Sequence, residues 1–358
     1  FGGYASPLKR VMDRIINLCS PFYTTVAGET HHKPRYDTYP LILGVGLLPE
    51  PNPEEEALFT TLVGRNALNF FAPSWDAGVL IASDPPERKR ALLDTWVGNL
   101  VQRGGRPSEP APQPTVYRPD ELGECLATPE TTRALLLVGS AKPTGTSTSE
   151  ALATHFGGQL EQHGVTLELR HVHKAISPRG LAGLLEAVDR ADVIVLFSPL
   201  YVDSLPYPVT LALERIEAHR AAQHAPRPGR WLAILNSGFP EMQHNFTALA
   251  ICRNFCHRAG YTWLGGIPLG GGAAIGGKPL AQRGGPFQRV ACALDQSALA
   301  IAHHTPLPPE VTALADKPLL SPSLYRPISS VMWCVEALRQ HTLLHLRDTP
   351  LEEKASIR

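Results

Sequence analysis

Between residues 133 and 303, five short apolar runs alternate with segments of helical spacing, and this alternation restricts the fold more than any other feature. The runs, at 134–138, 166–171, 193–197, 231–235 and 262–267, are rich in Val, Ile and Leu, as strands are when both faces are buried. Helical segments follow at 151–163, 180–191, 208–219, 243–259 and 287–303. The pattern predicts an α/β domain with a doubly wound, five-stranded parallel sheet, which takes its ligand beyond the carboxyl ends of the strands.

Three loops leave those ends. The first, 139–149, carries Gly139, Ser140, Lys142, Thr144, Gly145, Thr146, Ser147, Thr148 and Ser149 just ahead of a helix. A helix start presents unpaired N–H groups and the positive end of its dipole, and the glycines admit close approach, so this loop suits a phosphate. An ordinary βα turn capped by a Ser or Thr has the same composition. The second loop, 198–205, joins Pro199 and Leu200 to the flat Tyr201, then Val202 and Asp203. The third, 236–241, offers Asn236, Ser237, Gly238 and Phe239. Together the three suit a phosphorylated, planar, heteroaromatic ligand. No G-x-G-x-x-G with a following acidic residue is present, and Lys142 is not followed by Ser or Thr at the helix start. A dinucleotide fingerprint and a nucleotide-hydrolysing P-loop are thereby excluded.

The charge balance, 33 Lys and Arg against 33 Asp and Glu, gives no reason to expect a nucleic-acid partner. No apolar run reaches the roughly 18–20 residues that cross a bilayer, so no membrane partner and a cytoplasmic location are expected. The six cysteines are scattered, and Cys252 and Cys256 read as small buried hydrophobes, not metal ligands. Two histidine pairs, His171 with His173 at a strand end and His341 with His345 on one helix face, lack further ligands in sequence, so no metal is expected. Asp203 is read as a turn residue or a substrate-steering group, and 270–277 as a glycine-rich loop or lid.

The set Gly139-Ser140 with Lys142, Ser147-Thr148-Ser149, Ser198-Pro199-Leu200-Tyr201 with Pro206, and Asn236-Ser237-Gly238 resembles the flavodoxin-like NAD(P)H-dependent FMN reductase family over residues 133–305. The resemblance implies FMN as cofactor and NAD(P)H as co-substrate, with a quinone, flavin or other small molecule as electron acceptor. It also implies a phosphate held by Ser140, Lys142, Ser147, Thr148 and Ser149. The ring would then be held by Pro199, Leu200, Tyr201, Val202, Asn236, Ser237, Gly238 and Phe239. Lys142 stands where many relatives carry Arg, which keeps the charge and loses the planar fork. No side chain need act as acid or base, and no catalytic residue is named. The alternative is a non-catalytic interaction or scaffold protein with a degenerate flavin site.

The N-terminal part repeats the later half of this unit. Pro7, Arg14 and Ile15 match Pro208, Arg215 and Ile216, each 201 positions on, and Arg65-Asn66, Trp75 and Gly78 match Arg253-Asn254, Trp263 and Gly266, each 188 on. The expected organisation is a partial flavodoxin-like copy at 1–103, a Pro-rich linker at 104–132, the complete domain at 133–305 and a C-terminal extension with a helix at 306–358. The partial copy starts in mid-unit. Either its own N-terminal part is missing or it docks on the complete domain, and an opening Phe1 in place of methionine favours the first. A tandem copy would serve as a built-in dimer partner, with homodimerisation as the other route.

Overall fold

A computed structural model of the chain describes residues 1–103, 132–224 and 226–350. In chain order these form α1 (Ser6–Ile15), strands β1 (Tyr23–Val26), β2 (Glu29–His32) and β3 (Ile42–Leu48), α2 (Pro53–Asn69), β4 (Trp75–Ile81) and α3 (Pro86–Arg103). Then follow β5 (Arg133–Val138), α4 (Thr148–Gln162), β6 (Thr166–His171), the short α5 (Val172–Ala175), α6 (Leu181–Arg190), β7 (Val193–Pro199), α7 (Tyr207–Ala221), β8 (Gly229–Asn236), α8 (Phe246–Ala259), β9 (Tyr261–Leu269) and α9 (Pro286–Ala302). Helices α10 (Glu310–Asp316) and α11 (Pro322–Arg339) close the series. The expected linker at 104–132 lies almost wholly outside the described residues.

Two compact units emerge, one of Phe1–Arg10 with Pro114–Leu320, the other of Val11–Gln113 with Ser321–Arg358. The first is built on a parallel sheet in the order β6-β5-β7-β8-β9. That order, 2-1-3-4-5 by strand rank, is the flavodoxin-like one, and it reverses direction between β5 and β7. Both faces are covered. Leu136, Val138, Val195, Phe197 and Ile234 face Phe156 of α4 and Leu294 of α9, and every residue of β8 is buried. On the other face Trp231 meets Phe255 of α8 edge-on, with ring centroids 4.9 Å apart. The polar sequence of β6 fits its place at the edge, where a strand is half exposed. A bulge at Leu264 shifts the register of β9 against β8.

The second unit holds the parallel pair β3-β4 with α2 and α3, plus the antiparallel hairpin β1-β2. Trp75 pairs with Ile42 just as Trp263 pairs with Trp231. Gly78 is required for packing, since a Cβ there would lie 2.2 Å from the Trp96 ring. The stretch with His31 and His32 is the second strand of the hairpin. Its turn, Ala27-Gly28, has both residues at positive φ. Helix α11, which the sequence offers as a packing element over a domain or an interface, buries Tyr325 and Ala337 and leaves Val331, Trp333 and Leu338 exposed.

Candidate functional site

Because β5, β7 and β8 are neighbours, the three loops leaving their carboxyl ends meet. They enclose a cavity of about 170 Å³ lined by Ser140, Lys142, Ser147, Thr148 and Ser149 from the first, Pro199, Leu200 and Tyr201 from the second, and Asn236 and Gly238 from the third. Ala273, from the glycine-rich loop, completes the lining. Three expected residues stand outside it. Val202 sits in a turn with φ +53°, Ser237 is buried with its hydroxyl donating to Phe239 O at 3.0 Å, and Phe239 packs on His244 with centroids 5.0 Å apart.

The first loop owes its shape to two glycines. A Cβ on Gly139 would lie 2.6 Å from Val209 Cγ2 and 2.7 Å from Ser198 Oγ, and Gly145 has φ +80°. Ser147 caps α4, its oxygen accepting from Glu150 N at 3.1 Å. Ser140 likewise accepts, from Lys142 N at 3.3 Å. Both hydroxyls therefore keep their hydrogens for an anion. Thr148 and Ser149 differ: their hydroxyls donate to Gly272 O at 2.7 Å and to Asn236 Oδ1 at 2.9 Å, which ties the loops to one another. What remains for a phosphate is the Ser140 and Ser147 hydroxyls, the first backbone N–H groups of α4, and the exposed Lys142. These residues fit a phosphate. One group works against it: the Glu150 carboxylate accepts Gly145 N–H at 2.6 Å and lies 3.5 Å from His171 Nε2.

The second loop is a tight hairpin in which Tyr201 N donates to Ser204 O at 3.0 Å and Ser204 N to Tyr201 O at 3.2 Å. Its central residues, Val202 and Asp203, are both left-handed, which costs about 1–3 kcal/mol at each non-glycine position. Asp203 is buried with His244, Oδ1 to Nδ1 3.3 Å, and steers nothing in solvent. The loop is tied to the third by Leu200 N donating to Asn236 O at 3.0 Å. The glycine-rich loop is packed onto the site. Gly272 N donates to Ser237 O at 2.8 Å, and a Cβ on Gly277 would fall 2.0 Å from Gly145 O.

The histidine readings separate. His171 ends β6 while His173 falls in the first turn of α5, Nδ1 3.2 Å from Ser140 O, yet the two rings still meet edge-on with centroids 5.9 Å apart. Burial, opposed by Glu150, holds His171 below its ordinary value. His341 lies beyond the end of α11 at φ +57°, which breaks the expected i,i+4 pair. No cluster of three or more metal-ligating side chains occurs among the described residues. Cys252 and Cys256 are fully buried, and burial pushes both thiols up, as expected of packing residues. No described helix is long and apolar enough to cross a membrane. Sequence reasoning missed Ala273, His244 and Lys9, whose ammonium donates to Tyr201 O at 2.8 Å.

No protein-family model and no curated protein matches the sequence. Among solved structures the chain is similar to an azoreductase from Bacillus anthracis strain Sterne, at 12% identity over 48% of this chain and 99% of that one, with a TM-score of 0.37. It is similar to an FMN-dependent NADH-azoreductase from Bacillus anthracis strain Ames Ancestor in complex with FMN, at 14% identity over 48% and 100%, with a TM-score of 0.35. The NAD(P)H:quinone oxidoreductase from Methanothermobacter marburgensis is a third, at 16% identity over 49% and 98%, with a TM-score of 0.35.

Proposed function

We propose that the chain is an NAD(P)H-dependent flavoprotein oxidoreductase that binds FMN in this cavity. The carrying observation is the convergence of a helix start, Lys142 and two proton-bearing hydroxyls with the loops of Tyr201 and Asn236 at the switch point of one sheet. FMN bound there would supply hydride acceptance from NAD(P)H and electron delivery to a quinone, flavin or other small acceptor.

The chain's own residues bind and orient. Lys142, Ser140 and Ser147 hold the phosphate with the first N–H groups of α4. Leu200 and Tyr201 form an apolar wall, with Gly238 leaving open space beside them. A volume of about 170 Å³ is below the roughly 300–1,000 Å³ of most ligand clefts, so the protein encloses only part of the molecule. The N-terminal strand–helix–strand–helix is read as a second, incomplete copy of the same fold acting as a built-in partner.

The purified chain titrated with FMN tests this. Saturable quenching of flavin fluorescence, release of FMN on denaturation, and bleaching by NADH or NADPH are expected. Protein that takes up no FMN would refute it. The second reading, a scaffold with a degenerate flavin site, is favoured by one observation, the Glu150 carboxylate on the Gly145 N–H. Under that reading Glu150→Gln would not create FMN binding either.

A further inference from the structure

Lys9, in the first turn and a half of α1, is wholly buried, and its ammonium donates to the carbonyl of Tyr201 at 2.8 Å. An ammonium out of water is tolerated only where acceptors offset its lost hydration, so a lysine here answers to its acceptor and not to apolar packing. The carbonyl it holds opens the two-residue turn in which Val202 and Asp203 both have left-handed φ, +53° and +51°. A β-branched residue in that region persists only when its surroundings over-determine it. From the other side Asp203 is held by His244, itself against Phe239 of the third loop. The segment that brings Lys9 is firmly seated on the sheet domain. Ser6 donates from N and Oγ to the two carboxylate oxygens of Glu214, at 2.8 and 2.6 Å, and the Phe1 ring meets Phe255 edge-on at 5.5 Å.

We propose that Lys9 is a positioning residue for the cavity: by holding the Tyr201 carbonyl it fixes the wall of Pro199, Leu200 and Tyr201, and the site is incomplete without Phe1–Arg10. The ligand named in the test rests on the FMN reading, but the shape of the turn is measurable without any ligand.

The test uses the full chain as Lys9→Met and Lys9→Gln, with Leu8→Ala as a control at an exposed position of the same helix. Hydrogen–deuterium exchange of the peptide spanning 201–204 should quicken about tenfold or more in Lys9→Met, while peptides of α8 stay at wild-type rates. FMN affinity should fall by a similar factor, and Leu8→Ala should bind FMN as wild type does. Lys9→Gln, which keeps an N–H donor on a shorter, uncharged arm, should fall between wild type and Lys9→Met. Wild-type exchange at 201–204 in whichever Lys9 variant folds would overturn the proposal. If wild type itself takes up no FMN, the function reading fails while the exchange comparison still decides the role of Lys9.

Discussion

The hydroxyl of Ser149 separates two accounts of the phosphate loop. Read from sequence it is a donor to the phosphate, whereas in the structure it donates to Asn236 Oδ1 at 2.9 Å, with Ser149 1% and Asn236 6% exposed. Ser149→Ala leaves that buried carbonyl oxygen without its donor, at a cost of about 1–3 kcal/mol. For a unit of this size about 1 kcal/mol moves Tm by roughly 2–4 °C, so a drop of about 2–12 °C is expected in protein free of flavin. A double-mutant cycle with Asn236→Ala, read by thermal or urea unfolding, should give a coupling of about 0.5–1.5 kcal/mol. Wild-type melting of Ser149→Ala, or strict additivity with Asn236→Ala, would refute the link between the loops. A loss of FMN affinity with no loss of flavin-free stability would return the hydroxyl to the phosphate.

Val202→Gly removes a left-handed β-branched residue worth about 1–2 kcal/mol of strain and adds about 0.5–1 kcal/mol of unfolded-chain entropy, so urea unfolding should show a gain of up to about 1.5 kcal/mol. Lys142→Met should weaken FMN binding by up to about fivefold at low ionic strength, and titrations in rising salt should erase the difference. Burial, aided by the Arg230 guanidinium 3.0 Å from its Nδ1, holds His304 below its ordinary value of 6.5. A base with a depressed folded value contributes stability that is present above 6.5 and lost as pH falls through the lower folded value. His304→Gln should therefore flatten the acid limb of a stability–pH profile below 6.5.

The parallel sheet and the three loops were legible because their signals are local. Near-continuous Val, Ile and Leu mark strands buried on both faces, and Gly139, Gly145 and Ser147 carry turn and cap chemistry at short range. What escaped is long-range or unsignalled. Lys9 reads as one more polar residue of an amphipathic helix, and nothing near it in sequence foretells an acceptor in another loop. Thr148 and Ser149 show hydroxyls but not the Gly272 and Asn236 oxygens that claim them. The hairpin of β1 and β2 was missed because its strands have four residues each and its turn begins with Ala27, not the Asn or Gly such turns favour.

The bond from Lys9 to Tyr201 spans 192 residues, and this orders events during synthesis. The helix leaves the ribosome first and its acceptor appears only after β7 has been made, so the segment waits, ammonium hydrated, while the sheet grows. Closing so long a chain is entropically costly and slow. The Tyr201 turn should accordingly be among the last parts of a nascent molecule to become native, and ribosome-bound chains ending before it should leave the Lys9 helix open to protease.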